Sequence, residues 1–123
     1  MSDRNVNHLA PGMMEKCYAW MQQMAIAGVD YIITCTLRAQ SEQDALYEQG
    51  RTRPGPIVTW THSSMHTKGL AFDFVIMVNG KPDWSMSHKD MWNKAVQIGK
   101  DLGLSQVVGS DGRIKEFAHL QLS

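Results

Sequence analysis

The sequence predicts an α+β fold, a small antiparallel sheet with helices packed on one face, from three observations. Two stretches beginning at Pro11 and near Ser87 space apolar residues by three and four, the helical period. Three others read as strands: Tyr31 to Thr36 and Leu70 to Val78, rich in β-branched or aromatic residues, and Phe117 to Leu122, which alternates. The links between strands are hairpin-like or irregular, where parallel pairing would need regular crossovers.

Taken in order, residues 1–10 are polar and unpatterned and are expected to form a flexible tail ahead of a single domain over 11–123. In the first helix Cys17, Trp20, Met21, Met24 and Ala27 make one apolar stripe, and Gly28 stops it. Tyr31-Ile32-Ile33-Thr34-Cys35-Thr36 is a buried strand, and Arg38 follows directly on it. Ser41 with Asp44 three residues on predicts the cap of a short second helix that ends near Gly50. Residues 50–63 carry Gly and Pro punctuation without a period, a loop long enough to be functional or disordered.

The strand from about Leu70 to Val78 ends at Asn79-Gly80, a two-residue hairpin signal, and Lys81 to Trp84 returns as a short partner that Pro82 confines to an edge. Ser87 and Asp90 repeat the cap-and-acid pattern ahead of a helix with Met91, Ala95, Ile98 and Leu102 on one face. Gly103 closes that helix. On the last strand Phe117, His119 and Gln121 share one face, and Ala118, Leu120 and Leu122 the other.

The totals exclude several functions. Lys+Arg and Asp+Glu balance at 12 each in 123 residues, which leaves no electrostatic footprint for nucleic acid. No apolar run approaches the length of a membrane span, and the N-terminus lacks the pattern of an export signal, so the expected location is the cytoplasm of the producing cell. Cys17 and Cys35 form neither a disulfide framework nor a Cys-x-x-Cys clamp, and read as buried free thiols. The nine Met are scattered core fillers.

The chemistry concentrates in Ser64 to Asp73. His66 and Asp73 lie seven residues apart around Gly69, and Asp73 sits in an apolar run where a carboxylate has to be paired or coordinated. With His119 these residues offer two nitrogens and one oxygen, a set that suits Zn²⁺ and leaves a fourth position for water. Bound zinc lowers the pKa of water from about 15.7 to roughly 7. Glu116, three residues before His119, would accept the proton if it lies in the turn leading into the strand. Arg38 would neutralise the oxyanion formed as water adds to a carbonyl. Singly, each has a plainer reading: a hydrogen-bonded strand histidine for His66 or His119, a solvated acid for Glu116, an ion pair with Asp44 or Glu42 for Arg38.

From Tyr31 onward the chain resembles the M15 family of zinc peptidases, and most of all its phage L-alanyl-D-glutamate endopeptidases. The matching pieces are Leu37-Arg38 with Ser41-Glu42-Gln43 and Leu46-Tyr47; Gln49-Gly50-Arg51-Thr52 with Pro54-Gly55 and Ile57-Val58-Thr59; Ser64-x-His66-x-x-Gly69-x-Ala71-x-Asp73; Asn79-Gly80-Lys81 with Asp83-Trp84; and Glu116-x-x-His119-x-Gln121. The resemblance implies a single zinc-peptidase domain of the D-Ala-D-Ala carboxypeptidase/hedgehog-like type. It implies one Zn²⁺ held by His66, Asp73 and His119, Glu116 as general base, Arg38 polarising the scissile carbonyl, and Ser64 and Gln43 as supporting or substrate-binding residues.

The implied activity is cleavage of peptidoglycan stem peptides at the L-Ala-D-Glu bond by a monomeric endolysin that reaches the wall after release from the cell. A D-Ala-D-Ala dipeptidase or carboxypeptidase of the same family is the near alternative, and a non-catalytic metal-binding module the distant one. The chain departs from the family where Val107-Val108-Gly109-Ser110-Asp111-Gly112-Arg113 replaces a tryptophan-containing stretch. Glu116 also stands where many endopeptidases carry Asp, and Ala118 where Pro is common.

Overall fold

The computed structural model describes residues 3–59, 64–108 and 114–122, without the side chains of 107, 108 and 114–117. Three helices, α1 (Pro11–Ala27), α2 (Gln40–Glu48) and α3 (Lys89–Asp101), accompany five strands. The strands are β1 (Tyr31–Cys35), β2 (Ala71–Val78), β3 (Lys81–Pro82), β4 (Leu104–Val108) and β5 (Ile114–Leu122). They pair antiparallel in the order β1-β2-β5-β4, and β3 joins β2 beyond the Asn79-Gly80 turn. The α+β architecture read from the sequence is the one observed.

One face of β2 makes the core. Phe72, Phe74 and Ile76 alternate onto it and are fully buried, and Leu120, paired with Phe72, joins them from β5. Trp20 of α1 packs its ring 5.0 Å from Phe74 and 5.1 Å from Phe72, and Trp92 of α3 lies 5.5 Å from Phe74. The two helices are tied across this layer by the Trp20 indole N–H, which donates to the Ala95 carbonyl at 2.9 Å. Gly99 lets α3 settle onto the sheet: a Cβ there would stand 2.7 Å from Leu120 Cδ1.

Several local expectations change. Residues 3–10, expected as a loose tail, are packed in place by a 3-10 turn at Val6–His8, with Val6 and Leu9 buried in the core. Two apolar side chains at the right spacing anchor a segment whose composition otherwise looks like solvent. Neither Ser41 nor Ser87 caps its helix. Helix α2 has Ala39 at its cap, two residues before Ser41, and just ahead of α3 the carboxylate of Asp83 accepts from the backbone N–H of the cap residue His88 at 3.0 Å. The same carboxylate receives the Ser87 hydroxyl at 2.9 Å and the Trp92 indole N–H at 3.1 Å. Ala27, placed on the apolar stripe by spacing, is exposed at the end of α1.

Strand β5 begins at Ile114, so Glu116 lies inside it opposite Val107, not in a turn before it. The β4/β5 register shifts between Ser105 and Val107, where Ser105 faces Gln121 and Val107 faces Glu116. Five residue steps on β5 match two on β4. This irregularity breaks the two-residue alternation, so counting back from His119 no longer dictates the face of position 116.

Candidate metal centre

The face of β2 opposite the helices carries Asp73, and the pairing Asp73↔His119 sets an imidazole from β5 beside it. His66 arrives from a 3-10 turn at Met65–Lys68. Ser64 starts that turn by accepting the His66 backbone N–H at 3.2 Å, and Gly69 ends it at φ +70°. A side chain at Gly69 would also meet the Ala10 nitrogen at 2.9 Å, where the N-terminal segment bonds to the Gly69 carbonyl.

The three side chains converge on one point. His66 Nε2 lies 3.0 Å from Asp73 Oδ1 and 3.2 Å from His119 Nδ1, and His119 Nδ1 lies 2.9 Å from Asp73 Oδ1. His66 and His119 are 2% and 3% exposed, so the rings are shielded from bulk solvent. Each imidazole is oriented by its other nitrogen. His66 Nδ1 donates to the Thr36 carbonyl at 2.7 Å, which can only accept, and His119 Nε2 donates to Gln121 Oε1 at 2.9 Å.

Two neutral rings fixed in this way turn both remaining lone pairs, with a carboxylate oxygen, into a triangle of 2.9 to 3.2 Å edges. Three lone pairs so close repel unless a proton or a cation lies among them. Tetrahedral zinc with bonds of about 2.0 to 2.2 Å spaces its nitrogen and oxygen donors about 3.3 Å apart, so the donor set fits that ion. Without an ion the proton takes the place. Burial alone would depress the His66 pKa, but the hydrogen bond and charge of Asp73, with contacts to Cys35 and the Thr36 carbonyl, push it up to about 10. Burial would raise Asp73, yet its bonds to His119 and His66 hold it well below the usual carboxylate range.

Thr36 links this centre to the N-terminal segment. It is fully buried, its N–H donates to the Asp3 carbonyl at 2.7 Å, and its hydroxyl donates to the Asn5 carbonyl at 3.0 Å. The packed start of the chain therefore holds the carbonyl that fixes His66.

Arg38 comes alongside through the Arg38 N–H, which donates to the His66 carbonyl at 2.9 Å. Its Nη1 donates to Gln43 Oε1 at 2.8 Å, its Nη2 approaches Cys35 Sγ at 3.6 Å, and its buried Nε has no hydrogen-bond partner among the described residues, with Glu42 Oε1 at 3.8 Å as an ion pair. Gln43, itself fully buried, and Ser64 thus hold other site residues in place. An open groove lined by Asp3, Leu37, Arg38, Gln40, Glu42 and Thr67 runs beside the guanidinium.

The structure brings together His66, Asp73, His119, Arg38, Gln43 and Ser64. Glu116 is placed only by its backbone on β5, and the departures at 109–113 lie outside the described residues. The sequence reading missed Cys35, which it took for a core thiol. The thiol belongs to a group with His66 and Asp73 whose possible ligand atoms all lie within 4.8 Å of one another. The signal that could have shown it, a bulge in β1, is not written in residue types.

No family model matches the chain. The peptidoglycan L-alanyl-D-glutamate endopeptidase CwlK of Bacillus subtilis (strain 168) is 36% identical over 123 residues, spanning 93% of this chain and 73% of that protein. Among solved structures, the Serratia marcescens L-Ala D-Glu endopeptidase ChiX superposes with a TM-score of 0.68 at 19% identity, over 100% of this chain and 89% of that one. The vancomycin-resistance D,D-dipeptidase VanXYg gives a TM-score of 0.67 at 19% identity, over 93% of this chain and 50% of that one. Those two structures define a shared peptidase fold. The likeness to CwlK places the chain itself: it belongs to the M15 peptidase family.

Proposed function

We infer that the chain is a zinc-dependent peptidoglycan hydrolase that cuts stem peptides between L-alanine and D-glutamate. The observation that carries the metal is the convergence of His66 Nε2, Asp73 Oδ1 and His119 Nδ1 within 3.2 Å, with each ring's other nitrogen already committed. The names of CwlK and ChiX support the choice of bond.

His66, Asp73 and His119 would hold the ion, which when bound supplies hydroxide at neutral pH and polarises a carbonyl. Thr36 and Gln121 keep the two rings in the tautomers that leave the inward nitrogens unprotonated. Arg38, steadied by Gln43, offers its guanidinium to the oxygen that becomes negative as the scissile carbonyl turns tetrahedral. Glu116 takes the proton of the attacking water and returns it to the departing D-glutamate nitrogen, the role that the Glu116-x-x-His119 spacing supports. The reading as an endolysin-type lytic enzyme rests on the likeness of residues 49–59 to the phage endopeptidases, and predicts clearing of purified cell walls by the isolated chain.

Two measurements test it. Elemental analysis of purified protein should find about one zinc per chain, as a three-ligand site with an open position requires. Mass spectrometry of digested peptidoglycan should find new L-alanine C-termini. Release of free D-alanine in their place would move the activity to the D,D-dipeptidases.

A further inference from the structure

Cys35 is brought to the metal centre by a fault in strand pairing. Ile33 of β1 pairs with Phe74 and so faces the helices, and two residues on Cys35 should face them too. A register shift between Ile33 and Cys35 moves the pairing to Cys35↔Asp73, which turns the thiol onto the face that carries the triad. There it is 4% exposed, with the Arg38 guanidinium 3.6 Å from its sulfur.

We propose that Cys35 is a fourth protein donor to the ion, giving the resting, substrate-free protein a metal–sulfur bond. This rests on the reading of His66, Asp73 and His119 as a metal site. Zinc bonded to sulfur at about 2.3 Å and to nitrogen at about 2.05 Å puts the two donors about 3.6 Å apart. Cys35, His66 and Asp73 have ligand atoms within 4.8 Å of one another, so toward those two donors the sulfur has to close a gap of at most about 1.2 Å. As the bond forms, the thiol proton passes to the buffer. Two imidazoles, a carboxylate and a thiolate complete a tetrahedron, the closed type of zinc site. Binding of substrate to the ion would then require the sulfur to give up its place.

Cobalt(II) added to the metal-free chain tests this without any assay of hydrolysis. Visible ligand-field bands report that the ion is bound, and a near-ultraviolet thiolate-to-cobalt band reports the sulfur. Wild type and Cys17→Ser are expected to show both, and Cys35→Ser only the first. X-ray absorption of the zinc form should show a sulfur shell at about 2.3 Å that Cys35→Ser lacks. Ligand-field bands without the charge-transfer band in wild type would overturn the proposal and leave the metal site standing. Absence of both would remove the metal site as well.

Discussion

Replacing Asp73 by Asn in metal-free protein measures how strongly the empty centre depends on the carboxylate. Asp73 Oδ1 lies 3.0 Å from His66 Nε2 and 2.9 Å from His119 Nδ1. The rise of the His66 pKa from 6.5 to about 10, made against burial by Asp73 above all, sets a ceiling of about 5 kcal/mol at 1.36 kcal/mol per pH unit. Asp73 is 27% exposed, and solvent screening brings the realistic effect to about 2 to 3 kcal/mol.

A histidine whose folded pKa is raised contributes its full stabilisation below the unfolded value and loses it as pH climbs through the folded value. Stability of the EDTA-treated wild type should therefore fall from near pH 6.5 to about pH 10, by up to about 1.4 kcal/mol per pH unit. At the acid end the same pair is lost as Asp73 protonates, below the ordinary carboxylate range. Urea unfolding at a series of pH values reads both curves. Asp73→Asn should be less stable near neutrality, with the gap to wild type closing toward about pH 10. A gap that stays constant over that range would refute the coupling of His66 to Asp73.

Other perturbations separate the remaining roles. Glu116→Gln should keep zinc by elemental analysis yet lose at least about 10²-fold in wall hydrolysis, as expected for removal of a general base. Arg38→Ala should lower kcat by roughly 10²- to 10³-fold, read on a defined stem peptide. Gln121→Ala frees the outer nitrogen of His119 and should weaken zinc binding about 10- to 100-fold in a competition titration with a chelator. Gly99→Ala drives a methyl into Leu120, which is fully buried, and should cost about 1 to 3 kcal/mol by thermal melting while leaving bound zinc unchanged.

The helices and strands were legible because burying one face leaves a period in the sequence. Trp20 and Met24 on α1, Phe72 and Phe74 on β2, and Trp92 and Ala95 on α3 all take the positions that spacing assigns them. The caps were less legible, because the entry to α3 is held by Asp83, which accepts from the N–H of the cap residue His88 from outside the local cap-and-acid pattern. Val6 and Leu9 escaped notice because two anchors are too few to make a period.

Sequence alone supplied the candidate donors: a cation, then an imidazole, a carboxylate and a second imidazole, in an order that resembles one peptidase family. Tertiary structure decided which atoms meet. Asp73 and His119 come together through a pairing 46 residues apart in the chain, and the carbonyl that selects the His66 tautomer belongs to Thr36, itself held by residues at the N-terminus. Cys35 reaches the centre only through a bulge. Register is a collective property of paired strands, so a one-residue slip re-aims a side chain without changing any residue type that a reader of the sequence could see.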